Sequence, residues 1–564
     1  MKGVVSDLMS RSEMRILVIQ TAFLGDVVLA TALVSQLAER YPEASIDMLV
    51  RKGAESLLAN HPQIEEVLVW EKQQSKYVNL LELAQQIRER RYQRVYNCQR
   101  FAATGMLTWR SGADFKAGFD KNPFAPFFSC KAIHQIPGDD EQCVAGYQHE
   151  VQRNSLLLGE GRAEFRQPRI YPSQEDIGLA RRISRDKPIV VMAPGSVWFT
   201  KRWPEQKWAE LIRQIPDWIR VVLVGSSEEE ELGANLASVR DDVYNLCGQR
   251  SLMQSAALMK ESLRTFTNDS GPAHFAAAVG APVTAFFLAT RPDFGFSPVA
   301  DDLHLLMADA ECCASGIHGS KACEAGDFHC AEIDPAKALE DELPLWSAAK
   351  ILREGGLLLH DTDTVPGLAA RANDPEAVGR IYEVKGREEG KPLLILCDSI
   401  EMVERYVPLP QEVRRIWERT LSIPVTIVLP DARIGEDGLA PNLLPANGSI
   451  GVRIAARARV RTLIRAVGVP IASTSANYSG QPTASKLYEV DTVIRESVDQ
   501  TLPVISHPDP ALPADFDWNL PLRYRREVSE VQSQSSTILL WTGSGFQILR
   551  QGAGFEAIAN LVES

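Results

Sequence analysis

The 564-residue chain lacks the features that would place it in or across a membrane. Its longest stretch of low charge, residues 271–290, is interrupted by two prolines and a histidine, which favours a helix, a turn and a buried strand over a membrane span. Its first residues lack the basic, apolar and small-residue layout of a signal peptide. Its nine cysteines show no spacing of a secreted disulfide framework. We therefore expect a soluble cytoplasmic protein without a transmembrane segment.

An excess of positive charge is also missing, because the formal net charge is -13. This balance argues against a protein whose main task is to coat nucleic acid or an anionic membrane, although a local basic patch remains compatible with it. No internal repeat is present. The composition, 45% hydrophobic and 24% charged, is that of a globular protein, and the length predicts three or four domains.

What the chain does contain is a regular alternation of short apolar runs and amphipathic segments. Such alternation predicts doubly wound parallel sheets, so the fold class is α/β. The pattern breaks between about residues 121 and 167 and restarts at 188–196, which indicates two halves with a cleft between them. The predicted strands of these halves are 15–20, 45–50, 67–70, 94–99, 221–226 and 264–268, together with a first strand of the second half just before residue 193. The predicted helices are 27–40, 80–90 and 228–237.

A third, α+β unit begins near Leu343, with a predicted helix over 346–354. Residues 506–536 are rich in proline and aspartate and then in charged, serine and glutamine residues, which predicts a long loop. We expect three domains, at 14–170, 186–340 and 343–556.

The first candidate site begins at Asp26, in the turn Leu24-Gly25-Asp26 between a strand and a helix. Glycine permits a tight turn, and the helix N-terminus offers free N–H groups to an anion. If phosphate were the only ligand, a carboxylate at this position would repel it. A carboxylate here can instead act as a base that takes the proton of an acceptor hydroxyl. The alternative is that Asp26 only caps the helix.

Two further segments supply groups for a diphosphate. In APGSVWFTKRWP (193–204), either Lys201 or Arg202 is placed to neutralise the leaving group, and the other is then a solvated charge. In FTNDSGPAH (266–274), a strand ends and a helix opens with proline in its first turn. Ser270 and Gly271 offer donors to phosphate, and His274 either binds the ligand or packs.

Together these motifs resemble those of glycosyltransferase family 9, the lipopolysaccharide heptosyltransferases, over about residues 14–340. The resemblance implies a GT-B fold, a pair of Rossmann-like domains, and transfer of a heptose from a nucleotide-heptose to a lipid-linked core acceptor with inversion. It implies peripheral contact with the inner membrane. It assigns Asp26 as the general base and Lys201 as the contact to the donor diphosphate. It places the following residues in the donor site: Ser196, Asp269, Ser270, Gly271 and His274.

A cluster of cysteines follows this region: Cys312, Cys313, Cys323 and Cys330, with His318 and His329 among them. Four such ligands would suit a structural zinc ion, but adjacent cysteines rarely both bind one ion and no C-x2-C pair is present. We expect no bound metal and leave a structural zinc site as the alternative.

The second candidate site starts at HDTDTVPGL (360–368), interpreted as a strand, a turn and the start of a helix. Its hydroxyls and carboxylate would hold a small amino acid. Lys385, Arg387 and Lys391 at the end of a helix form a cationic cluster suited to a triphosphate, unless they are merely a solvated helix end. STSAN (473–477) adds neutral donors and acceptors.

This ordered set resembles the YrdC-like family of L-threonylcarbamoyl-AMP synthases over about residues 343–556. The resemblance implies a reaction of threonine, bicarbonate and ATP with release of diphosphate, for tRNA modification. It implies Mg²⁺ accompanying ATP, no protein-bound cofactor, and tRNA or double-stranded RNA as a further partner. The ATP- and threonine-binding residues it implies are Thr362, Thr364, Lys385, Arg387, Lys391, Thr426, Arg453, Ser473, Ser475, Asn477, Ser536 and Arg550.

The leading hypothesis is therefore a bifunctional enzyme, a heptosyltransferase fused to a threonylcarbamoyl-AMP synthase. The alternative keeps an active heptosyltransferase and makes the YrdC-like half a module that only binds RNA or a nucleotide.

Overall fold

The computed structural model describes residues 14–72, 76–134, 149–161, 163–308, 310, 318–323, 326–389, 391–421, 423–503 and 535–562. The chain separates into two compact units, of which the first ends at Lys337 and the second begins at Ala338. Among the described residues, no helix combines the length and the apolarity needed to cross a bilayer. The predicted loop at 506–536 lies almost entirely outside the described residues.

The first unit contains two six-stranded sheets. The strand order of the first is β3-β2-β1-β4-β5-β6, and every pairing is parallel. Its strands are β1 (Arg15–Ile19), β2 (Ser45–Arg51), β3 (Glu66–Trp70), β4 (Arg94–Asn97), β5 (Phe115–Phe119) and β6 (Cys130–Ala132), and its helices are α1 (Leu24–Arg40), α2 (Lys76–Glu89) and α3 (Ala102–Arg110). Four of the five β1 residues are buried, because helices cover a parallel sheet on both faces.

The second sheet has the order β12-β11-β10-β7-β8-β9, and its pairings are also parallel. Its strands are β7 (Ile189–Ala193), β8 (Arg220–Leu223), β9 (Tyr244–Asn245), β10 (Thr265–Asn268), β11 (Val283–Phe287) and β12 (Leu303–Met307). The helices are α4 (Glu150–Ser155), α5 (Gln174–Ser184), α6 (Glu205–Gln214), α7 (Glu230–Ala237), α8 (Leu252–Glu261) and α9 (Gly271–Ala278).

The structure predicted for the low-charge stretch 271–290 is confirmed. Helix α9, a turn with Gly280 at φ 74° and the fully buried β11 follow one another there. One apolar core extends through both halves of the unit, and α1 packs on α9 inside it. The carboxyl ends of β1 and of β10 therefore face a shared cleft.

The second unit is built on a nine-stranded mixed sheet of order β19-β13-β14-β18-β15-β17-β16-β20-β21. Its strands are β13 (Leu358–His360), β14 (Gly367–Arg371), β15 (Leu394–Cys397), β16 (Val425–Leu429), β17 (Ile450–Ile454), β18 (Ile471–Ser475), β19 (Gln500–Leu502), β20 (Thr537–Trp541) and β21 (Phe546–Arg550). Its helices are α10 (Glu342–Arg353), α11 (Pro375–Val384), α12 (Ile400–Tyr406), α13 (Gln411–Thr420), α14 (Ala458–Val467), α15 (Thr492–Glu496) and α16 (Phe555–Val562).

One local prediction in this unit is wrong. The segment after the turn at 361–366 was expected to start a helix, but it forms β14, which pairs antiparallel with β13 and with β18. Leu368, Ala369 and Ala370 have good helix propensity, yet all three are fully buried between neighbouring strands. Sheet packing therefore overrides the local preference of these residues.

Candidate active sites

The N-terminus of α1 carries Asp26 into the cleft of the first unit. Phe23 is the N-cap residue, with extended backbone, so Asp26 occupies the third helical position. Its Oδ2 accepts a hydrogen bond of 3.1 Å from the backbone N–H of Phe23. Asp26 thus helps to cap the helix, yet it remains partly exposed and lines the cleft.

The surroundings of Asp26 favour its protonated form more than water would. Burial raises the pKa of Asp26 to about 7, and the nearby Glu150 carboxylate adds to the effect. The N–H of Phe23 and the Arg153 guanidinium oppose it. A carboxylate with this pKa accepts a proton effectively near neutral pH.

Lys201 and Asp269 form a charged pair that lines the same cleft. Lys201 Nζ lies 2.5 Å from Asp269 Oδ2, and the Thr290 hydroxyl donates to the same oxygen at 2.6 Å. Burial by itself would raise the pKa of Asp269, but the Lys201 ammonium and these hydrogen bonds hold it below its ordinary value. Asp269 therefore stays ionised and fixes the position of the ammonium.

Of the two cations considered in the loop after β7, only Lys201 faces the cleft. Arg202 is exposed, and its Nε donates to the backbone carbonyl of Ser196 at 2.6 Å. Ser196 is buried and lines the cleft.

Helix α9 points its N-terminus into the same cleft. Ser270 is its N-cap residue and Gly271 its first residue, with Pro272 in the first turn. The unpaired N–H groups of such a first turn attract an anion. His274, one turn further on, is buried, and burial lowers its pKa to about 4, so its ring is neutral at physiological pH.

His274 also explains why a glycine stands beside Asp26. A Cβ on Gly25 would lie 2.6 Å from Cδ2 of His274, so only glycine lets α1 and α9 approach this closely. His274 therefore packs against α1 through its Cδ2 atom, in agreement with the packing alternative. Its Nδ1 has no hydrogen-bond partner among the described residues.

The cleft thus brings together all the predicted residues of the first site: Asp26, Ser196, Lys201, Asp269, Ser270, Gly271 and His274. Sequence analysis missed several further lining residues: Phe23, Trp198, Phe287, Thr290, Arg291, Phe294, Phe296 and His318. Thr290 and Arg291 directly follow β11. Their position shortly after the carboxyl end of a parallel strand could have identified them as site residues from the sequence.

The cysteine cluster does not assemble a metal site within the described residues, where no three His, Cys, Asp or Glu side chains come close enough to hold an ion. Cys330 is buried, Cys323 is half-buried and His318 lines the cleft instead. Cys312 and Cys313 lie outside the described residues.

In the second unit, Lys385 is the residue that follows α11, and its side chain is buried. Its Nζ donates to the backbone carbonyls of Ser475 and, at 2.6 Å, of Asn477. The Ser475 hydroxyl donates to Asn477 Oδ1 at 2.5 Å. These three predicted residues therefore form one group, and an ammonium carries one N–H more than these two carbonyls accept.

The other two predicted cations are placed differently. The Arg387 guanidinium donates to the Pro392 carbonyl at 3.0 Å. Burial, and to a smaller extent the charge of Arg387, lowers the pKa of Lys385 to about 8. Lys391 is half-exposed and pairs with Glu388 at 3.2 Å.

A second group surrounds Arg453 of β17, which is buried. Its Nη1 donates to the Thr364 hydroxyl at 3.3 Å, and its Nη2 lies 3.4 Å from Asp363 Oδ1. The hydroxyls of Thr364 and Thr362 are 3.1 Å apart. Asp363, which also accepts from the N–H of Ala456, was not predicted as a site residue.

The remaining predicted residues connect to these groups. Thr426 lies opposite Arg453 in the sheet register, and its hydroxyl is 3.0 Å from that of Ser536. Arg550 donates through Nε and Nη2 to the Ser536 carbonyl, at 3.0 and 2.9 Å. Burial and the charge of Arg453 lower the pKa of Arg550.

Ser473 of β18 lies close to Gly367, the first residue of β14, which follows the 361–366 turn. A Cβ on Gly367 would lie 3.1 Å from Thr362 Cγ2 and 3.3 Å from Ser473 Oγ. Gly367 also pairs with Ser475 in the sheet, so the group around Lys385 and the group around Arg453 lie on adjoining strands. Two groups of polar side chains, most of them buried, thus assemble around the ends of β13, β14 and β18.

In the comparison with known proteins, each unit matches a different family model. A model described as glycosyltransferase family 9 (heptosyltransferase) matches residues 80–322, and the Sua5/YciO/YrdC model, described as telomere recombination, matches residues 350–511.

Individual relatives follow the same division. The chain is 26% identical over 352 residues to lipopolysaccharide heptosyltransferase 2 of Escherichia coli K12, covering 58% of this chain and 97% of that protein. It is 33% identical over 157 residues to the threonylcarbamoyl-AMP synthase of Hahella chejuensis, covering 28% of this chain and 83% of that protein.

Two further comparisons concern one more curated relative and one solved structure. The match to the threonylcarbamoyl-AMP synthase of Bacillus subtilis, 34% identical over 144 residues, takes in 25% of this chain and spans only 41% of that protein's length. The solved structure of the E. coli ADP-heptose heptosyltransferase II aligns with a TM-score of 0.48 and 24% identity, covering 58% of this chain and 97% of that one.

Proposed function

Because the chain belongs to the threonylcarbamoyl-AMP synthase family and also carries a glycosyltransferase family 9 domain, we propose that it is a bifunctional enzyme. The first unit transfers a heptose from a nucleotide-heptose to a lipid-linked lipopolysaccharide core acceptor. The second unit makes threonylcarbamoyl-AMP from threonine, bicarbonate and ATP.

The transfer is a single displacement at the anomeric carbon. Asp26 takes the proton of the acceptor hydroxyl as its oxygen forms the new glycosidic bond. The bond from the anomeric carbon to the nucleoside diphosphate breaks on the opposite face, so the configuration inverts. Lys201 and the N–H groups at the start of α9 neutralise the charge that develops on the leaving diphosphate.

The observation that supports this assignment is the convergence of two halves of the unit on one cleft. Asp26 comes from the helix after β1, whereas Lys201 and Asp269 follow β7 and β10. The proposed base and the cation thus come from different halves of the unit and line one cleft, which suits a displacement between an acceptor and a donor. The residue Asp269 holds Lys201 in place through their 2.5 Å ion pair.

For the second unit, the supporting observation is the buried ammonium of Lys385. Two of its three N–H groups are held by the Ser475 and Asn477 carbonyls, which directs the third. We propose that it contacts the phosphates of ATP with Arg387, while Thr362, Thr364 and Ser473 hold threonine. The threonine amine and bicarbonate form a carbamate with loss of water. A carbamate oxygen then attacks the α-phosphate of ATP, and the bond to the leaving diphosphate breaks.

Mg²⁺ fits this site as a companion of ATP rather than as a resident ion. The acidic side chain within the Arg453 group, Asp363, is already engaged by Arg453 and by the N–H of Ala456. We propose that ATP phosphates supply most ligands of the ion, which is the usual mode for Mg²⁺. The ion would supply charge neutralisation at the phosphates.

We propose that the enzyme works in the cytoplasm, where ATP and tRNA are found, and that its lipid-linked acceptor lies at the inner membrane. We propose tRNA, or double-stranded RNA, as a further partner of the second unit, since its product is destined for tRNA.

The experiment is to assay the purified full chain for both reactions. We expect diphosphate release that needs threonine, bicarbonate and ATP together, and heptose transfer that needs both donor and acceptor. Absence of both reactions would refute the proposal. Heptose transfer alone, with RNA binding that weakens on Arg387→Ala substitution and with salt, would favour a binding module in the second unit.

A further inference from the structure

Part of the chain around the clustered cysteines and histidines packs on the loop that carries Lys201. Within its described residues it assembles no metal site. Two hydrogen bonds join it to the loop: the Thr200 N–H donates to the Ser320 carbonyl at 3.2 Å, and the Ser320 N–H donates to the Thr200 hydroxyl at 2.8 Å. We name residues 318–323 and 326–331 the histidine–cysteine segment.

A pair of aromatic rings fixes the second part of this segment to the same loop. The ring of Phe328 stacks on that of Phe199, with centroids 5.3 Å apart and an interplanar angle of 23°. Phe328 has φ 50°, in the left-handed region that a bulky residue rarely adopts. Such a strained conformation persists only where surrounding contacts hold it, and it is common near functional sites. Phe199 and Lys201 belong to one short turn, so the stack supports the turn that carries the lysine.

Gly319 brings the histidine–cysteine segment against the side chain of Lys201 itself. A Cβ added to Gly319 would lie 2.9 Å from Lys201 Cγ and 2.6 Å from Trp198 Cβ, so a larger side chain would displace these neighbours. The aliphatic part of Lys201 therefore packs on the segment, while its ammonium is held by Asp269 at 2.5 Å. The segment is part of the structure that directs this ammonium.

His318, the residue before this glycine, lines the cleft. Its side chain is exposed there, so a ligand can reach it. Partial burial and the charges of Lys201 and Arg100 lower the pKa of His318, and Asp269 raises it. The ring is therefore neutral at physiological pH and keeps one N–H donor. Lys201 and Asp269 belong to one half of the unit, whereas Arg100 follows β4 in the other half.

The sugar-linked phosphate of a nucleotide sugar is the ligand group that suits this position. In the proposed transfer the bond between this phosphate and the anomeric carbon breaks, so this phosphate is the one nearest the acceptor and gains the charge of the leaving group. His318 lies near Lys201, the proposed phosphate contact, and near Arg100 of the half that carries Asp26. A neutral N–H can donate to that phosphate without repelling the ammonium beside it.

We propose that His318 is a further residue of the donor site, whose ring N–H donates a hydrogen bond to the sugar-linked phosphate. The inference deepens the proposed heptose transfer and rests on it. Lys201 then supplies the charge and His318 an additional directed hydrogen bond for the leaving diphosphate. The histidine–cysteine segment serves to hold both groups in the cleft.

The test is calorimetric titration of the full chain with ADP, GDP and UDP and with the matching monophosphates, which lack the phosphate in question. The base that binds most tightly is then used for all variants. Every protein carries Lys385→Met, which removes the proposed phosphate contact of the second unit. We expect His318→Ala to weaken binding of the diphosphate about tenfold and of the monophosphate less than about twofold. His318→Gln keeps an N–H donor and should restore most of the affinity.

The matched control is His329→Ala, in the same segment, at a side chain that is 68% exposed and paired with Asp327. It should bind both nucleotides like the parent protein. Melting temperatures establish that each variant folds. In transfer assays without the Lys385→Met substitution, His318→Ala should lower kcat about tenfold, and His329→Ala should not change it.

Three results would overturn the inference alone. They are equal diphosphate affinity of His318→Ala and its parent, equal losses of diphosphate and monophosphate affinity, and binding by His318→Gln as weak as that of His318→Ala. Absence of diphosphate binding by the parent protein would instead refute the proposed donor site, and with it the heptose transfer on which the inference rests. The two failures are therefore distinguishable.

Discussion

At the scale of single residues, the position of Asp26 suits both of the roles that sequence analysis had set against each other. One carboxylate oxygen accepts from the Phe23 N–H and helps to cap α1, while the side chain lines the cleft with a pKa near 7. The cap fixes where the carboxylate stands. Capping and proton transfer are therefore compatible in one side chain.

Asp26→Asn keeps the size and the hydrogen bond to Phe23 but removes the base. We expect the rate of heptose transfer to fall by about 10²–10⁴-fold, with affinity for the nucleoside diphosphate unchanged within about twofold. Transfer kinetics and calorimetric titration of the nucleotide measure the two effects. The exposed Asp114→Asn serves as control. A large loss of nucleotide affinity would instead make Asp26 a structural residue.

The same residue sets the pH dependence of transfer. A base must be ionised, so kcat should rise with pH and level off above the Asp26 pKa of about 7. Glu150 raises that pKa, so Glu150→Gln should move the inflection to lower pH, while the exposed Glu65→Gln should leave it in place. The pH profile of kcat is measured for the wild type and both variants. An inflection that stays in place in Glu150→Gln would contradict the assignment of Asp26 as the group that titrates.

Lys385 and Lys391 offer a matched pair in the second unit. Lys385→Met removes a buried, fixed ammonium, and we expect diphosphate release to fall by about 10²-fold or more. Lys391→Met removes a half-exposed ammonium paired with Glu388 and should change the rate by less than about threefold. Because burial lowers the pKa of Lys385 to about 8, wild-type activity should also decline as pH rises through 8. Comparable losses in both variants would contradict this ranking.

At the scale of elements, the close approach of α1 and α9 builds the first site. The contact depends on Gly25, where an added Cβ would lie 2.6 Å from His274 Cδ2. In the proposed reaction these two helices supply the base and the N-terminus that binds the diphosphate, so their spacing would set the distance between the reacting groups.

Gly25→Ala should therefore push α1 and α9 apart. We expect it to lower the free energy of unfolding of the first unit by about 1–3 kcal/mol and to reduce transfer. Gly178→Ala is the control, because its added Cβ meets only the Arg182 guanidinium at 3.6 Å within α5, where alanine favours the helix. Denaturant unfolding and transfer assays measure both variants. Equal stability of Gly25→Ala and the wild type would show that the helices can readjust.

At the scale of the whole molecule, the two compact units hold two separate sets of site residues. Each candidate site is completed within its own unit, since every contact described above for the cleft lies before Lys337 and every contact around Lys385 and Arg453 lies after Ala338. Two catalytic units of this kind are expected to work independently.

Reciprocal inactivation in the full chain tests that independence. Asp26→Asn should lower transfer by about 10²–10⁴-fold and leave threonine-dependent diphosphate release within about twofold of the wild type. Lys385→Met should have the opposite effect. Assays of both activities on each variant give the result, and a loss of both activities from one substitution would reveal coupling between the units.

Local sequence was sufficient to predict much of the framework. The apolar runs at β1, β2, β7 and β10 and the break between the halves are visible because buried parallel strands require uninterrupted apolar residues. The helix start at β14 was wrong, since Leu368, Ala369 and Ala370 owe their extended conformation to β13 and β18 on either side.

The sequence by itself determined the division of this protein into two nucleotide-handling parts and the residue types that each requires, because motifs are local and their chemistry follows from their side chains. Only the tertiary structure decided which of those residues act together. It turned Lys201 rather than Arg202 toward the cleft, joined Lys201 to Asp269, and set Lys391 apart from Lys385. The physical reason is that pKa values and contacts depend on burial and on neighbours distant in the chain, which local sequence does not specify.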